Sequence, residues 1–359
     1  MICVNSWTCT PDGASLGISL AEPVHCFLLC FESDQKGFAM LCFNTRWNPS
    51  SLMTSVTAMS VLLTLISACS GPPASEQAAL ESLQELTPVG FKQNEAGNVI
   101  ELTATDDAMT DEAVVYLQEF PELRRLHLER SAISDAALQP ISKLKKLEAL
   151  FLDQTAVTDQ GIQQLSTLES LQQLSLVESQ VGDAALPTIG ELANLTMLNL
   201  SQTGVTDDGL IHLAPLKKLK SLYLGSTQLT GTGIKTLGEL PELTLLDLNQ
   251  TRSNDSLVAA LGQFPSLEML FLGNSRISDE QIPGLMTVLK ENMPRLKGLS
   301  LKSNPLTDAS ISDLQELKSL KNLALVQLQN TQITKPAFKQ LASVVTEVNF
   351  SVDYSERDE

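Results

Sequence analysis

One six-residue pattern, Leu-x-x-Leu-x-Leu, returns along this chain at a fixed interval, and it narrows the possible folds more than any other feature. It starts at Leu123, Leu147, Leu171, Leu195, Leu219, Leu243 and Leu267, each 24 residues after the last, and again at Leu296 after 29. In these eight copies every marked position is Leu. Looser copies begin at Val99, Leu323 and Val345, making eleven. The last two Leu of each copy alternate with variable residues, so they share one face of a short strand. A single unit of this kind cannot bury its own apolar face. Copies stacked about 4.8 Å apart would pair in parallel and join their leucines into one continuous core.

The second half of each repeat also recurs. A Ser or Thr followed by Asp opens it at Ser134-Asp135, Thr158-Asp159, Thr206-Asp207, Ser278-Asp279 and Thr307-Asp308. The hydroxyl suits a helix N-cap, and an Asp in the first turn favours the helix dipole. Apolar residues then follow at helical spacing, as in Leu210, Leu213 and Leu216. Each repeat therefore reads as strand, turn, short helix and return.

These motifs resemble the leucine-rich-repeat family, and the resemblance covers roughly residues 90 to 352. It implies an α/β solenoid, a horseshoe with parallel strands on the concave face and short helices on the convex face. Typical members carry Asn or Cys at the ninth motif position. Here it holds Ser131, Thr155, Ser179, Thr203, Thr227, Thr251 and Ser275, with Asn only at Asn304. A hydroxyl can bond the same turn backbone. The variant with a following Val-Thr-Asp is similar to a bacterial subtype. Two repeats are irregular: Arg252-Ser253-Asn254 interrupts one, and Lys335-Pro336 replaces the Asp pair in another. The 29-residue copy carries an extra helical stretch, Met286 to Arg295.

An open stack exposes core and strand edges at its ends. Ser75 to Leu86 reads as an amphipathic helix, and Phe91 to Leu102 as a hairpin around Glu95-Ala96-Gly97-Asn98. Together they are expected to form an N-terminal cap. Val345 to Tyr354 is expected to close the far end.

Composition changes near residue 70. All six cysteines (Cys3, Cys9, Cys26, Cys30, Cys42 and Cys69) and both tryptophans lie before it. The repeats therefore hold no disulfide and no thiolate metal site. The run Val61 to Ile66 is too short for a membrane span of about 20 residues but suits the apolar part of a secretion signal. Ile66-Ser67-Ala68-Cys69 resembles the bacterial lipobox, which implies lipidation at Cys69 and a tether from Ser70 to Pro73. No Lys or Arg lies between Met53 and Cys69, whereas Arg46 follows Met40. A start at Met40 or Met53 is therefore expected. The expected layout is an extension over 1–52, a signal over 53–69, tether and cap over 70–98, repeats over 99–354 and a disordered tail over 355–359. A lipid anchor at the cell envelope follows from the lipobox resemblance, and a monomer is expected.

The net charge of −18 repels a phosphate backbone, which argues against nucleic-acid binding. Past Cys69 no GxSxG, P-loop, GxGxxG or HExxH pattern occurs. His127 and His212 lie more than three repeats apart and cannot share a metal or a catalytic triad. Asp153 and Asp247 face the concave side but are four repeats apart, about 20 Å along the stack. Paired glycosidase carboxylates need about 5 to 9.5 Å. No catalytic residue, metal site or cofactor is expected.

What remains is the concave face. Its solvent-facing column reads Thr103, His127, Phe151, Ser175, Asn199, Tyr223, Asp247, Phe271, Ser300 and Gln327, with Met197, Leu245 and Met269 alongside. Exposed aromatic and Met side chains anchor protein interfaces. Phe151, Met197, Asn199, Tyr223, Asp247, Met269 and Phe271 are the expected contacts for a protein ligand. A patch of Arg125, His127, Glu129 and Arg130 reads as a solvated face. A cell-wall polymer that stacks sugars on the rings is the alternative ligand. A cytosolic adaptor resembling the substrate-binding repeats of ubiquitin ligases is the alternative role.

Overall fold

A computed structural model describes residues 74–104, 109–252 and 255–352. They belong to the compact unit Ser70–Glu359. The signal segment, Cys69, the interruption at Ser253-Asn254 and the tail lie outside the described residues.

Twelve strands form one open sheet in strict chain order. A hairpin starts it: β1 (Val89–Gln93) runs antiparallel to β2 (Val99–Ala104). Ten three-residue strands follow, all parallel. They are β3 (Arg125–His127), β4 (Ala149–Phe151), β5 (Gln173–Ser175), β6 (Met197–Asn199) and β7 (Ser221–Tyr223). β8 (Leu245–Asp247), β9 (Met269–Phe271), β10 (Gly298–Ser300), β11 (Leu325–Gln327) and β12 (Asn349–Ser351) complete it. The eleven sequence copies therefore map onto β2 to β12. The register matches copy to copy, as in Leu198↔Leu222 and Leu222↔Leu246.

Burial explains why the three Leu positions tolerate so little. Leu195, Leu198 and Leu200 have no exposed surface, and the equivalent residues of neighbouring repeats match them. The buried residues form one cluster from Ala79 to Val345. Each fully buried Leu contributes about 1.5–3 kcal/mol relative to leaving it in water.

The return segments are shorter and tighter than regular helices. Leu210–Leu213 is a 3-10 turn, and Asp159–Ile162 is a single α-turn continued by a 3-10 turn. A 24-residue repeat leaves little length for the return, and i→i+3 bonding fits a few residues into it. The 29-residue repeat spends its extra length on a true helix, Ile282–Asn292.

The turn after each strand has a feature the sequence did not reveal. Gln154, Gln202 and Gln250 all adopt left-handed backbone with φ of 56° to 59°, and the same position does so from Arg130 to Asn330. Each such N–H bonds the next repeat: Gln154 to Val177, Gln202 to Gly225 and Gln250 to Gly273, at 2.7–2.8 Å. The hydroxyl in the ninth motif position acts as expected. Thr155, Thr203 and Thr227 donate to the carbonyl three residues back at 2.6–2.7 Å. Asn304 does more, accepting from Ser275 and Ile277 and donating to Leu272 and Leu301.

The ends differ. Helix α1 (Ala74–Leu86) buries Leu80 and Leu83 against the first repeat. Glu76 accepts the Val99 N–H at 2.9 Å and ties α1 to β2. The hairpin begins at Val89, two residues earlier than expected, and Gly97 turns it at φ 83°. At the far end, β12 extends the sheet by one strand rather than covering its edge. Phe350 is half-buried there and meets Phe338 edge-to-face at 5.5 Å.

Candidate functional site

The parallel register turns repeat positions into rows. Thr103, His127, Phe151, Ser175 and Asn199 stand side by side on successive strands. Tyr223, Asp247, Phe271, Ser300 and Gln327 continue the row. Two residues earlier, Met197, Ser221, Leu245, Met269 and Gly298 form a second row. In each of β3 to β11 the central Leu or Val is buried while its neighbours face the opposite side, away from the helical layer.

All seven expected contacts lie in these rows, and all seven are half-buried. Met197, Asn199, Tyr223, Asp247, Met269 and Phe271 come together on β6 to β9. Phe151 stands apart, two strands before β6. It stacks on His127 with ring centroids 4.5 Å apart and planes 9° apart. His127 Nδ1 lies 3.2 Å from Glu129. The half-buried ring pair makes this patch more than the solvated face the sequence suggested.

Two positions of the first row are not solvent-facing. Ser175 is 3% exposed and Ser300 is 1% exposed. Each is a small side chain between larger ones: Phe151 and Asn199 flank Ser175, and Phe271 and Gln327 flank Ser300. The Ser175 hydroxyl also turns to donate to Asp153. Beside Phe271 the sheet dips, because Gly298 and Ser300 are both small. Met269 leans into that dip, where a Cβ on Gly298 would meet its sulfur and terminal methyl.

Asp247 sits between Tyr223 and Phe271. Its Oδ1 accepts the Asn249 N–H at 2.8 Å. Burial raises its pKa above the usual carboxylate value, opposed by that bond and by the charge of Lys302. The stem of Lys302 crosses Gly273, where a Cβ would stand 2.8 Å from Lys302 Cγ. Sequence reading passed over Lys302 because it lies two positions beyond β10. The paired glycines Gly225 and Gly273, one to each side of Asn249, were the available signal. Asp153 is likewise raised, first by burial, against bonds from Ser175 and Val177.

A shallow cavity of about 460 Å³ lies off both rows, lined by Arg124, Lys146, Glu148, Gln172, Asn194 and Lys218 among others. None of the seven contacts lines it. Arg124 pairs with Glu148 at 2.9 Å, and Lys218 donates to Asn194 at 2.6 Å. Among the described residues, no group of His, Cys, Asp and Glu is placed to hold a metal ion. No helix among them is long and apolar enough to cross a membrane.

Strand-turn-helix units stacked over one leucine core define a repeat solenoid with a broad sheet face. A family profile described as Leucine Rich repeat matches residues 191–214, which contain the Leu195 copy. With eleven such copies stacked in register, the chain has the fold of a leucine-rich-repeat solenoid. Solenoids of this build in general present extended binding surfaces to partners.

No curated protein matches the sequence. Among solved structures the chain is similar to an internalin from Listeria monocytogenes at 18% identity, covering 81% of this chain and 98% of that one with a TM-score of 0.38. A second internalin from that organism gives 19% identity, 79% and 93% coverage and a TM-score of 0.37. A TDR receptor gives 19% identity, 67% and 44% coverage and a TM-score of 0.42.

Proposed function

We propose that this chain is a non-catalytic scaffold that binds a protein partner on its exposed sheet face, the face read as concave from sequence. The observation that carries the reading is the convergence of Met197, Asn199, Tyr223, Asp247, Met269 and Phe271 on four adjacent strands, all half-buried. Half-buried aromatic and Met side chains on a rigid sheet need little further ordering to bind. They match the composition of interface hot spots. The protein is held at the cell envelope by a lipid on Cys69, a reading supported by the Ile66-Ser67-Ala68-Cys69 motif.

Two measurements test this. Affinity capture from the host envelope with the wild-type chain should retain a partner that the Tyr223→Ala variant holds about 2 kcal/mol more weakly. Equal retention by a variant lacking Tyr223, Met197 and Phe271 together would remove the sheet face from consideration. The intact mass of protein extracted from host membranes should equal a chain beginning at Cys69 plus acyl groups. An unacylated chain in the soluble fraction would end the envelope reading.

A further inference from the structure

We propose that the Tyr223–Asp247–Phe271 stretch is a seat for a basic side chain, Arg or Lys, of the protein partner. The inference rests on the reading of the sheet face as a protein-binding surface and names the chemistry of its centre.

The register sets Asp247 between two aromatic residues, one strand away on each side. Adjacent strands lie about 4.8 Å apart, so a cation over the carboxylate is also within reach of both rings. Aromatic faces attract cations, and a guanidinium can stack on a ring while it bonds a carboxylate. Asp247 is the one acidic residue in its row from Thr103 to Gln327. Its Oδ1 is committed to the Asn249 N–H, and an ionised carboxylate has acceptor capacity beyond one bond.

The surroundings leave an approach open. In the row two residues beyond, Asn249 stands between Gly225 and Gly273, so no large side chain walls off the carboxylate on the Gly225 side, and on the Gly273 side only the exposed Lys302 stem crosses. A Cβ at Gly225 would come within 3.6 Å of Asp247 Oδ1. The protein already directs one cation to the spot: the Lys302 stem crosses Gly273, and its charge acts on Asp247. Lys302 thus stands in for the partner's basic group and competes with it. The net charge of −18 steers basic partners toward the chain as a whole, and Asp247 gives that attraction an address.

Calorimetric titration of the full chain with a blocked tetra-arginine peptide tests the seat, with the matching tetra-citrulline peptide as the uncharged control. Saturable binding of the arginine peptide alone is expected. Asp247→Asn keeps the acceptor for Asn249 and should weaken binding about tenfold, the effect of losing one charge pair. Lys302→Gln removes the competitor and should tighten binding about threefold, less than a full pair because Lys302 is exposed. Glu316→Gln, the same charge change on the helical side, should leave binding unchanged. Equal binding of the two peptides, no binding, or an Asp247→Asn effect no larger than that of Glu316→Gln would overturn the proposal. The wider reading is separable. If a captured partner is lost with Tyr223→Ala and Met197→Ala but indifferent to Asp247→Asn, the sheet face stands and the basic seat falls. If the partner is indifferent to all three, both fall.

Discussion

Asp183 accepts both the backbone N–H of Thr206, at 2.8 Å, and its hydroxyl, at 2.6 Å, across the boundary between two repeats. The bond recurs. Asp111 holds Ser134, Asp135 holds Thr158, Asp279 holds Thr307 and Asp308 holds Thr334 in the same two-point manner. The Ser or Thr meanwhile caps its own turn, as Thr206 does by accepting the Asp208 N–H. The Ser/Thr-Asp pair is therefore a cap and an inter-repeat clamp at once. Asp183→Ala should cost about 2 kcal/mol in urea unfolding, because it strands a charge-assisted pair of donors. Asp183→Asn keeps one acceptor and should cost less.

The clamp explains a glycine. A Cβ on Gly209 would run into the Asp183 carboxylate and Leu186. Gly209→Ala should therefore destabilise the protein by displacing that carboxylate. In a double-mutant cycle with Asp183→Ala the two costs should sum to more than the double variant loses, a coupling of at least about 0.5 kcal/mol. Strict additivity would mean that the glycine is there for another reason.

Acid acts on this fold in two opposite ways. Burial alone would raise the pKa values of Asp207 and Asp279, but bonds outweigh it and both are lowered: Thr230 and Thr232 for Asp207, Ser310 and Thr307 for Asp279. Their stabilising contribution is complete above the unfolded-state value of about 3.9 and is lost as pH falls through the lowered folded values. Asp153 and Asp247 are raised by burial, so ionising them at neutral pH opposes folding. That cost disappears as pH falls through the raised values. The Asp153→Asn, Asp247→Asn double variant should melt higher than wild type at neutral pH, with the gap narrowing toward about pH 4. A gap that widens with acid would reverse the assignment.

How much of this was legible follows from what repeats. The buried Leu triplet is written identically eight times, so strand register, core and the sheet-face rows could all be read from spacing. The Ser/Thr-Asp pairs were legible as caps, but their partners lie 23 to 28 residues away, and nothing local marks such a bond. The left-handed turn column was hidden for a different reason. It is filled by Arg, Gln, Glu, Ser and Asn rather than Gly, because an inter-repeat N–H bond holds the backbone there whatever the side chain. Of the site, the contact residues were visible as a column. The burial of Ser175 and Ser300 and the reach of Lys302 depend on neighbours' sizes across strands, which a row-by-row reading does not supply.

The left-handed column makes its own prediction. Gln202 has φ 58° and an exposed side chain, so substitutions there act through the backbone. Left-handed geometry costs an ordinary residue about 1–2 kcal/mol, more for a β-branched one. Gln202→Val should destabilise the fold by about 1 kcal/mol or more. Gln202→Gly should be neutral or mildly stabilising, since relief of the steric cost offsets the added freedom of the unfolded chain. Equal melting of the Val and Gly variants would show that the inter-repeat bond from Gln202 to Gly225 fully determines the turn.

The clamp is reduced to a single bond where Gly182, without a hydroxyl, gives Asp159 only its N–H at 2.6 Å, and it fails outright further along, where the solenoid should yield first. Thr230 still bonds Asp207, but the residue after it is Gly231, at φ 102°, where other repeats have Asp. No carboxylate is therefore available there to hold the following repeat. One repeat on, the Ser278 N–H is met by Gln281 of its own turn at 3.0 Å rather than by Asp255. Two successive boundaries thus lack the two-point bond that joins the repeats on either side. In a solenoid, stability is close to a sum of repeat and nearest-neighbour terms, so a weak boundary divides the cooperative unit. Native-state hydrogen exchange should show two levels of protection, with the amides of Thr232–Thr236 and Asp255–Ala260 exchanging ahead of the strands on both sides. Replacing Gly231 with Asp would not mend the joint, because a Cβ there collides with Leu257 and the backbone is left-handed. Uniform protection from β3 to β11 would instead mean that the leucine core alone couples the repeats and the carboxylate clamps add little to cooperativity.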